Sequence, residues 1–292
     1  MSRPRVTVGI PFHDEARFLD PAVRSVLAQT MGDFELLLVD DGSSDRSLEI
    51  ARSLRDPRIT VFSDGVRRGL GARLNEIVRR ARTDLVARMD ADDVSHPERL
   101  ARQLELLDRE PSCDAVGTDA VLVDENEEPF AIAALPDRPT SAVDALRRGS
   151  LLHATMVARR TWLVENPYDE RLRRAEDRDL WCRTVGRAEL RVLSEVLYVV
   201  RVRPHDASFV DEYVLGQTEN RRLFLRYGPR TLGVLGTAKA CLETYAKAAI
   251  MRAADRVSLV DRVVARRGGA VTPDAARRAE EALSAARPVQ RA

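Results

Sequence analysis

Short apolar runs alternate with amphipathic stretches over the first 110 residues of the chain. Runs of four or five apolar residues are typical of buried strands, whereas Leu, Ile and Val at intervals of three and four residues predict helices. The pattern predicts strands at 6–10, 36–39, 59–62 and 85–89 and helices at 21–29, 47–54, 71–81 and 97–109. Strands that are apolar on both faces need helices on both sides. We therefore predict a doubly wound α/β domain with a mainly parallel sheet.

The pattern becomes less regular after residue 110. It predicts strands at 115–123, 131–135 and 152–157, one or two strands within 190–202, and helices at 141–148 and 177–185. Beyond residue 211 it predicts a C-terminal extension of two or three amphipathic helices. There, Tyr245, Ala249 and Arg252 form a weakly apolar stripe that we expect to pack on the core, and the end after Arg266 is expected to be frayed. The predicted division is one domain at 1–210, with halves at 1–110 and 111–210, and an extension at 211–292.

Composition and charge narrow the classes of function. The chain has 292 residues, of which 44% are apolar, and 47 basic against 46 acidic residues leave a net charge of +1. The basic residues are spread along the chain, so no nucleic-acid partner is expected. The three cysteines, Cys113, Cys182 and Cys241, are far apart and predict neither a disulfide framework nor a zinc site.

No segment has the pattern of a membrane-spanning helix. The longest stretch without Asp, Glu, Lys or Arg is the ten residues 149–158, and a spanning helix needs about 20 apolar residues. The first apolar run, Val6 to Ile10, has five residues before Pro11, which is too short for a secretory signal. We therefore expect a cytoplasmic location.

Acidic and glycine residues collect directly after the predicted strands, at 11–15, 40–45, 64–71 and 90–93. In such sheets ligands bind at the carboxyl ends of the strands, so we expect all four segments at one edge. In Asp90-Ala91-Asp92, residues i and i+2 of an extended strand project to the same side, so two carboxylates can share a cation such as Mg²⁺ or Mn²⁺. The alternative is that a neighbouring acid or Ser95 caps the following helix.

Two of these segments have further features of a ligand site. In 40–45, Gly42 permits a tight turn. One of Asp40 and Asp41 can form that turn, while the other accepts an N–H from a nucleotide base. The segment 67–75 resembles a phosphate cradle because two glycines precede a helix, but its spacing matches neither a P-loop nor GxGxxG.

Five motifs occur in an order that is typical of one family. They are Pro11-Phe12-His13-Asp14-Glu15, Val39-Asp40-Asp41-Gly42-Ser43-Ser44-Asp45, Arg68-Gly69-Leu70-Gly71 with Asn75, Met89-Asp90-Ala91-Asp92-Asp93 with Pro97-Glu98-Arg99-Leu100, and Ala175-Glu176-Asp177-Arg178-Asp179-Leu180. With them the chain resembles a family 2 glycosyltransferase of the GT-A fold over about residues 5–205. The resemblance implies a GT-A catalytic domain at 1–210, with a nucleotide-sugar-binding half at 1–110 and an acceptor-binding half at 111–210.

The resemblance also implies roles for individual residues. Those implied to bind the nucleotide sugar are Pro11, Phe12, His13, Glu15, Asp40, Asp41, Arg68, Gly69, Arg73, Asn75, Asp90 and Ala91. Asp41 would accept a hydrogen bond from the base with Asp40 beside it, and His13, where the family commonly has tyrosine, would pack against the base. The residue that reaches the pyrophosphate is left open among Arg67, Arg68 and Arg73.

A divalent metal, Mn²⁺ or Mg²⁺, is the cofactor that the resemblance implies. Asp92 would bind this metal where it bridges the diphosphate, which makes the nucleotide a better leaving group. Asp90 would contact the metal and the sugar or ribose. His205, after the last core strand, either meets the metal or diphosphate or is a surface histidine.

Glu176 and Asp177 match the position at which related enzymes keep their general base. In an inverting transfer the acceptor hydroxyl attacks from the face opposite the departing nucleotide, and a carboxylate takes its proton. The alternative is that these acids and Asp179 form the negative first turn of a helix and pair with neighbouring arginines. His153 either lines the acceptor pocket or packs in the core.

The resemblance and the acids at the strand ends together imply a metal-dependent, inverting hexosyltransferase. It would move one sugar from a nucleotide diphosphate sugar, with a UDP-sugar as the first choice, to the hydroxyl of a sugar, lipid-linked or small-molecule acceptor. The QxxRW signature of processive synthases is absent, which favours transfer of a single sugar in glycan, cell-surface polysaccharide or glycoconjugate biosynthesis. The alternatives are a sugar nucleotidyltransferase and a non-catalytic scaffold that binds nucleotide sugars. Three roles stay open for the C-terminal helices. They pack on the core, form a homodimer or contact the inner face of a membrane peripherally.

Overall fold

A computed structural model of the chain describes residues 3–139, 141–264 and 268–288. The strands are β1 Val6–Phe12, β2 Phe34–Asp40, β3 Ile59–Ser63, β4 Leu85–Arg88, β5 Val94–Ser95, β6 Ala115–Val123, β7 Pro129–Ala133, β8 Val157–Arg159 and β9 Leu190–Arg201. The helices are α1 Leu19–Leu27, α2 Ser47–Ser53, α3 Leu70–Arg80, α4 Arg99–Arg109, α5 Ala142–Arg147, α6 Arg160–Glu165, α7 Glu176–Thr184, α8 Phe209–Thr231, α9 Gly233–Arg256, α10 Val260–Val264 and α11 Pro273–Ala286.

The strands form one mixed sheet in the order β3-β2-β1-β4-β8-β6-β9-β5, with β7 beside β6. Parallel pairing joins β3, β2, β1 and β4 in the first half and β6 to β9 in the second. The antiparallel pairs involve β5, β7 and β8. The predicted α/β fold with a mainly parallel sheet and a C-terminal helical region is therefore confirmed.

Both faces of the sheet are buried. Successive side chains of a strand point to opposite sides, so each strand contributes to the core on each face. Leu36 and Leu38 of β2 pack in a cluster with residues of α1 and α4. Leu37 and Val39 of the same strand pack in a second cluster, with Ile77 of α3 and residues of α6 and α7. Helices on both faces exclude water from these strands, which explains why their sequences are continuously apolar.

The structure corrects two predictions of secondary structure in the second half of the chain. The predicted strand at 152–157 is instead a 3-10 turn at His153–Thr155, followed by the short strand β8. In that turn Thr155 Oγ1 donates to the backbone oxygen of Leu152 at 2.7 Å and the Thr118 amide donates to Thr155 Oγ1 at 3.0 Å. These local bonds replace a strand ladder.

The C-terminal region also differs from its prediction. The end that was expected to be frayed contains α11, whose residues Ala279 and Leu283 are buried against Val121 of β6 and Val199 of β9; Arg266 itself lies outside the described residues. The Pro at the start of α11 and the Thr272 hydroxyl, which accepts from the Ala275 amide, favour this helix.

The helices α8 and α9 form a hairpin that packs on α5 and α7. Tyr245, Ala249 and Arg252, which were expected to pack on the core, are exposed. The prediction was wrong because α9 packs through the opposite face, which carries the buried residues Thr237, Ala240, Thr244, Met251 and Ala254. None of the helices in the described part of the chain combines the length and the apolar character that crossing a bilayer demands.

Candidate active site

The carboxyl ends of β1, β2 and β4 bring three of the predicted segments to one edge of the sheet. His13 Nδ1, just after β1, lies 3.1 Å from the backbone oxygen of Asp41, just after β2. Glu15 forms an ion pair of 2.9 Å with Arg203, and the same guanidinium lies 2.8 Å from Asp92, after β4. The segment 13–15 therefore links the Asp41 turn to the acidic cluster, and the predicted convergence at one edge is present in the structure.

Asp41 is the centre of the turn between β2 and α2. Its Oδ1 accepts from the backbone amides of Arg68 and Gly69 and from Arg73 Nε at 2.7, 3.2 and 2.9 Å, and its Oδ2 accepts from the Gly69 amide at 3.0 Å. Gly42 has a φ of +69°, and a Cβ there would lie 2.8 Å from the backbone nitrogen of Arg67. The turn therefore requires glycine. A carboxylate has about four acceptor sites, so Oδ2 keeps the capacity to accept one N–H from a ligand.

Arg73 does not reach the open edge of the site, which corrects the expectation that it contacts the pyrophosphate. Its side chain is fully buried, with ion pairs of 2.9 Å to Asp41, 2.7 Å to Asp64 and 2.7 Å to Glu76. The guanidinium also bonds to the backbone oxygen of Val66. Arg73 therefore stabilises the 64–69 turn from the protein interior.

Asp40 and Asn75 also have mainly structural contacts. Asp40 is buried, accepts from the Ser43 amide at 2.9 Å and accepts from the Ser63 hydroxyl at 2.6 Å; Asp40 is thus the turn-forming acid of the pair. Asn75 holds the loop after α6, because its side chain exchanges hydrogen bonds of 3.0 and 2.9 Å with the backbone of Tyr168. The resemblance implied that both residues bind the nucleotide sugar. In the structure both are buried and support the turns that line the edge.

The acidic cluster after β4 is only partly neutralised by arginine. Asp90 Oδ1 accepts from Arg88 at 2.6 Å, while Asp92 contacts Arg203. Burial and the charge of Asp90 raise the pKa of Asp92, and burial together with the Asp92 charge raises the pKa of Glu15 to about 7. Excess negative charge at this edge favours a cation as a ligand.

Asp93 does not cap the following helix, so the capping alternative is wrong. It accepts from the Arg201 amide at 3.0 Å, and α4 begins after Glu98 without a side-chain cap. Ser95 instead accepts from Gln29 and its amide donates to the Ser25 hydroxyl. Asp93 is buried, whereas the side chains of Asp90 and Asp92 are partly exposed.

The residues present fit a divalent metal. Carboxylate oxygens are the ligands that Mg²⁺ and Mn²⁺ prefer, and Asp92 shares its arginine partner with Glu15. Arg203 is the positive charge that contacts Asp92 and Glu15 in this structure. Asp92 and Asp90 are the residues that would hold the metal.

His205 is not placed with the other two implied metal ligands. It is exposed and lines a cavity with Asp206, Asp211 and Arg256. Within the described residues, three ligand atoms close enough to share an ion occur at His153, Glu176 and Asp177, and not at Asp90, Asp92 and His205. The residue beside Asp92 is Arg203, which the sequence analysis missed although it lies only two positions before His205.

The implied general base lies on the second half of the chain, at the start of α7. Ala175 precedes it with a φ of +63°, and such strain in a non-glycine residue is common at functional sites. Glu176 is buried, and burial together with the Asp177 charge raises its pKa to about 7. Asp177 is only partly buried. Asp179, in contrast, pairs with Arg183 at 2.7 Å, so the structural alternative applies to that acid.

His153 and Tyr168 complete this side of the site. His153 Nε2 lies 2.8 Å from the Tyr168 hydroxyl, and its Nδ1 lies 3.7 Å from Glu176. Burial, with a smaller contribution from Arg88, lowers the pKa of His153 well below its usual value. His153 is therefore neutral and buried beside the acids.

Arg88 joins the two sides of the site. It is fully buried, and although burial disfavours its charge, the negative charges of Asp90 and Glu176 raise its pKa. The Arg88 guanidinium thus contacts the acid at the β4 end and interacts electrostatically with the acid at the start of α7. Neither Arg88 nor Tyr198, whose hydroxyl accepts from the Asp90 amide at 3.1 Å, was predicted from sequence, because their roles depend on contacts that no local pattern shows.

Comparison with known proteins agrees with this architecture. A sequence model described as glycosyl transferase family 2 matches residues 7–165, a range that includes Asp41 and Asp92 and ends before Asp177. The chain is 32% identical over 210 residues to EpsE of Bacillus subtilis, named as a glycosyltransferase, with 68% of this chain and 74% of that protein covered. It is 27% identical over 186 residues to the O-antigen biosynthesis glycosyltransferase WbnJ of Escherichia coli, with coverage of 62% and 72%.

Two solved structures share the fold. TarS 1–349 of S. aureus has a TM-score of 0.58 at 19% identity, over 82% of this chain and 71% of that one, and the same fragment has been solved with UDP and with UDP-GlcNAc. The mannosyltransferase PcManGT from Pyrobaculum calidifontis, in complex with GDP-Man and Mn²⁺, has a TM-score of 0.60 at 19% identity, over 98% and 86%. Because the family match spans more than half of a chain that has this GT-A fold, the chain belongs to glycosyl transferase family 2 and is a glycosyltransferase enzyme.

Proposed function

We propose that the protein is a metal-dependent, inverting glycosyltransferase that moves one sugar from a nucleotide diphosphate sugar to an acceptor hydroxyl. The proposal is supported by the ion pair of 2.6 Å between Arg88 and Asp90, together with the electrostatic interaction of the same guanidinium with Glu176, which relates the two acidic clusters. One cluster suits the donor and its cation, and the other suits a proton acceptor. A transfer between two bound substrates needs both in one site.

The donor would bind along the edge formed by the ends of β1, β2 and β4. The partly exposed ring of His13 and the remaining acceptor site of Asp41 Oδ2 suit a nucleotide base with an N–H. Arg68, which is more than half exposed, is closer to the opening than Arg73 and takes the role of the diphosphate contact. A divalent cation held by Asp92 and Asp90, when bound, stabilises the negative charge that develops on the leaving diphosphate.

Asp177 is the proposed general base, and Glu176 supports it. A base must reach the acceptor hydroxyl, and Asp177 is the more exposed of the two acids. The buried Glu176, with its pKa of about 7, holds a proton near neutral pH, so Asp177 is not opposed by a second full charge. Attack by the deprotonated hydroxyl on the face opposite the nucleotide gives inversion.

A UDP-sugar is the proposed donor and polysaccharide or glycoconjugate biosynthesis the proposed setting. The TarS fragment, whose fold this chain shares, binds UDP and UDP-GlcNAc, while PcManGT binds GDP-Man. The named role of WbnJ in O-antigen biosynthesis supports a cell-surface glycan as the product. A panel of both donor types is therefore part of the test.

The test is the Asp177→Asn variant. We expect loss of nucleotide release from the accepted donor by about 10²- to 10⁴-fold, the usual range for removal of a general base, with UDP affinity unchanged in calorimetry. Asp144→Asn on α5, an acid outside the site whose side chain is about half exposed, should keep full activity. Unchanged turnover in Asp177→Asn would remove the assignment of the base, and release of pyrophosphate from UTP with a sugar phosphate would instead identify a nucleotidyltransferase.

A further inference from the structure

The long helix α9 presents an apolar face to solvent. Large apolar side chains on it are 56–87% exposed, namely Val234, Leu235, Leu242, Tyr245 and Ile250. Spacings of three and four residues place side chains on the same side of a helix. Leu235, Ala238, Leu242, Tyr245 and Ala249 have this spacing and are all exposed. These residues, with Ile250, form what we term the α9 face.

The α9 face is held in place by the hairpin behind it. The opposite side of α9 packs on α8, where a Cβ on Gly228 would lie 2.6 Å from the Thr237 hydroxyl, so the two helices approach closely. Arg221 of α8 lies over the ring of Tyr245, 3.9 Å from its centroid, and this cation–π contact fixes the ring at the surface. The face is therefore formed on a helix that packs closely against its neighbour.

The charges around the α9 face are basic. Its exposed cationic residues are Lys239, Lys247, Arg252 and Arg256, and the first two are the only lysines of the chain. Of the acids on the same helix, Glu243 lies 3.4 Å from Arg147 of α5. The exposed Asp255 lines a cavity that Arg252 and Arg256 also line, so Lys239 and Lys247 are the cations of the face that do not share this cavity with an acid of α9. An apolar helix face with basic flanks is the pattern of helices that lie in the interface of a membrane.

We propose that the α9 face docks the protein on an anionic lipid surface. Charge complementarity selects this occupant over a second copy of the chain. Two copies meeting through α9 would bring Lys239, Lys247 and Arg252 of each copy near those of the other, and like charges in contact disfavour association. Anionic headgroups neutralise these side chains, while the apolar residues enter the headgroup boundary.

The docking surface is connected to the proposed acceptor side of the site. In the hairpin, the Tyr227 hydroxyl donates to Asp179 at 2.7 Å and Arg226 lies 3.2 Å from the same carboxylate. Asp179 is on α7, two residues after Asp177. Docking therefore holds the helix that carries the proposed base at a fixed position above the lipid, which suits an acceptor attached to lipid. The inference about the acceptor rests on the proposed function, whereas the inference about docking does not.

The experiment measures binding of the full chain to vesicles by sedimentation, with phosphatidylcholine vesicles compared with vesicles that contain phosphatidylglycerol. We expect binding to the anionic vesicles that weakens at high salt. In the Lys239→Gln/Lys247→Gln variant, binding should fall by about 30-fold, since each basic residue near an anionic surface contributes about 1 kcal/mol. The matched control, Arg79→Gln/Arg109→Gln, removes two exposed charges on α3 and α4 and should bind like the wild type.

A second variant tests the apolar part of the face. Leu235→Gln/Leu242→Gln should lower vesicle binding by at least tenfold, whereas Val164→Gln, at an apolar residue of α6 that is 56% exposed, should not. Because these side chains are exposed, circular dichroism and melting temperature should stay unchanged. Equal binding of all variants, or no binding of the wild type, would overturn the proposal. A wild-type dimer that Leu235→Gln/Leu242→Gln converts to monomer, without vesicle binding, would assign the face to a second copy.

Discussion

Arg73 shows how a residue implied to bind ligand can instead stabilise the site. Its side chain is fully buried between Asp41, Asp64 and Glu76. A buried guanidinium with three carboxylates leaves each of them paired, and removal of the guanidinium leaves uncompensated negative charges beside the turn. The turn that presents Asp41 therefore depends on a residue that does not face the donor.

We predict that Arg73→Met lowers the free energy of unfolding by about 3–5 kcal/mol, the usual cost of removing one partner of a buried ion pair. Urea unfolding followed by circular dichroism measures this change. Arg68→Gln, in which the charge removed is more than half exposed, should cost less than about 1 kcal/mol. Equal stability of Arg73→Met and wild type would mean that the buried network is not formed in solution.

Glu176 gives a prediction for the pH dependence of stability. Burial and the Asp177 charge raise its pKa from 4.5 to about 7, so the folded state binds a proton that the unfolded state has released between these values. The stabilising effect is complete below pH 4.5 and is lost as the pH rises through 7. At about 1.4 kcal/mol per pKa unit, the folded state loses about 3 kcal/mol of stability over this range.

Unfolding of Glu176→Gln checks this assignment. Glutamine cannot titrate, so the variant should lose about 3 kcal/mol less than the wild type between pH 4.5 and pH 8. The difference between the two proteins isolates Glu176, because Glu15, whose pKa is also raised to about 7, contributes equally to both. Parallel pH profiles would show that Glu176 is ionised in the folded protein.

At the scale of elements, the local periodicity of the sequence predicted the strands in the first half of the sheet. It did not predict contacts between distant segments. The strands β1 to β4 are apolar runs whose burial depends on nearby helices, so their positions follow from sequence. The ion pair between Glu15 and Arg203 joins residues 188 positions apart, and no local pattern records such a contact. The packing of α11 on the sheet also depends on contacts between distant segments and was not predicted. Its Ala-rich sequence has the same composition as an exposed helix.

The packing of α11 leads to a stability prediction. Leu283 is buried against β6 and β9, so Leu283→Ala should lower the free energy of unfolding by about 2–4 kcal/mol through lost burial and the cavity that remains. The adjacent Ser284 is exposed, and Ser284→Ala should change stability by less than about 0.5 kcal/mol. Denaturant unfolding of both variants measures the difference, and equal midpoints would contradict a packed α11.

At the scale of the whole molecule, the candidate site exists only in the folded chain. Its acids come from the ends of β1, β2 and β4 and from the start of α7, and Arg203 follows β9. The unfolded chain disperses these groups, so a ligand that needs them together binds the native state alone. Such a ligand raises the melting temperature by mass action.

We predict that UDP and Mn²⁺ together raise the melting temperature more than the sum of their separate effects, because Asp92 and Asp90 hold the cation beside the diphosphate. A ligand at a hundred times its dissociation constant contributes about 2.7 kcal/mol, or a shift of about 5 °C for a chain of this size. Asp92→Asn should lose the part of the shift that requires Mn²⁺ and keep the part due to UDP alone, whereas Asp108→Asn, an exposed acid on α4, should behave as the wild type. A shift with UDP that is the same with Mn²⁺ and with a chelator would contradict the metal site, and a larger shift with GDP than with UDP would replace the proposed base.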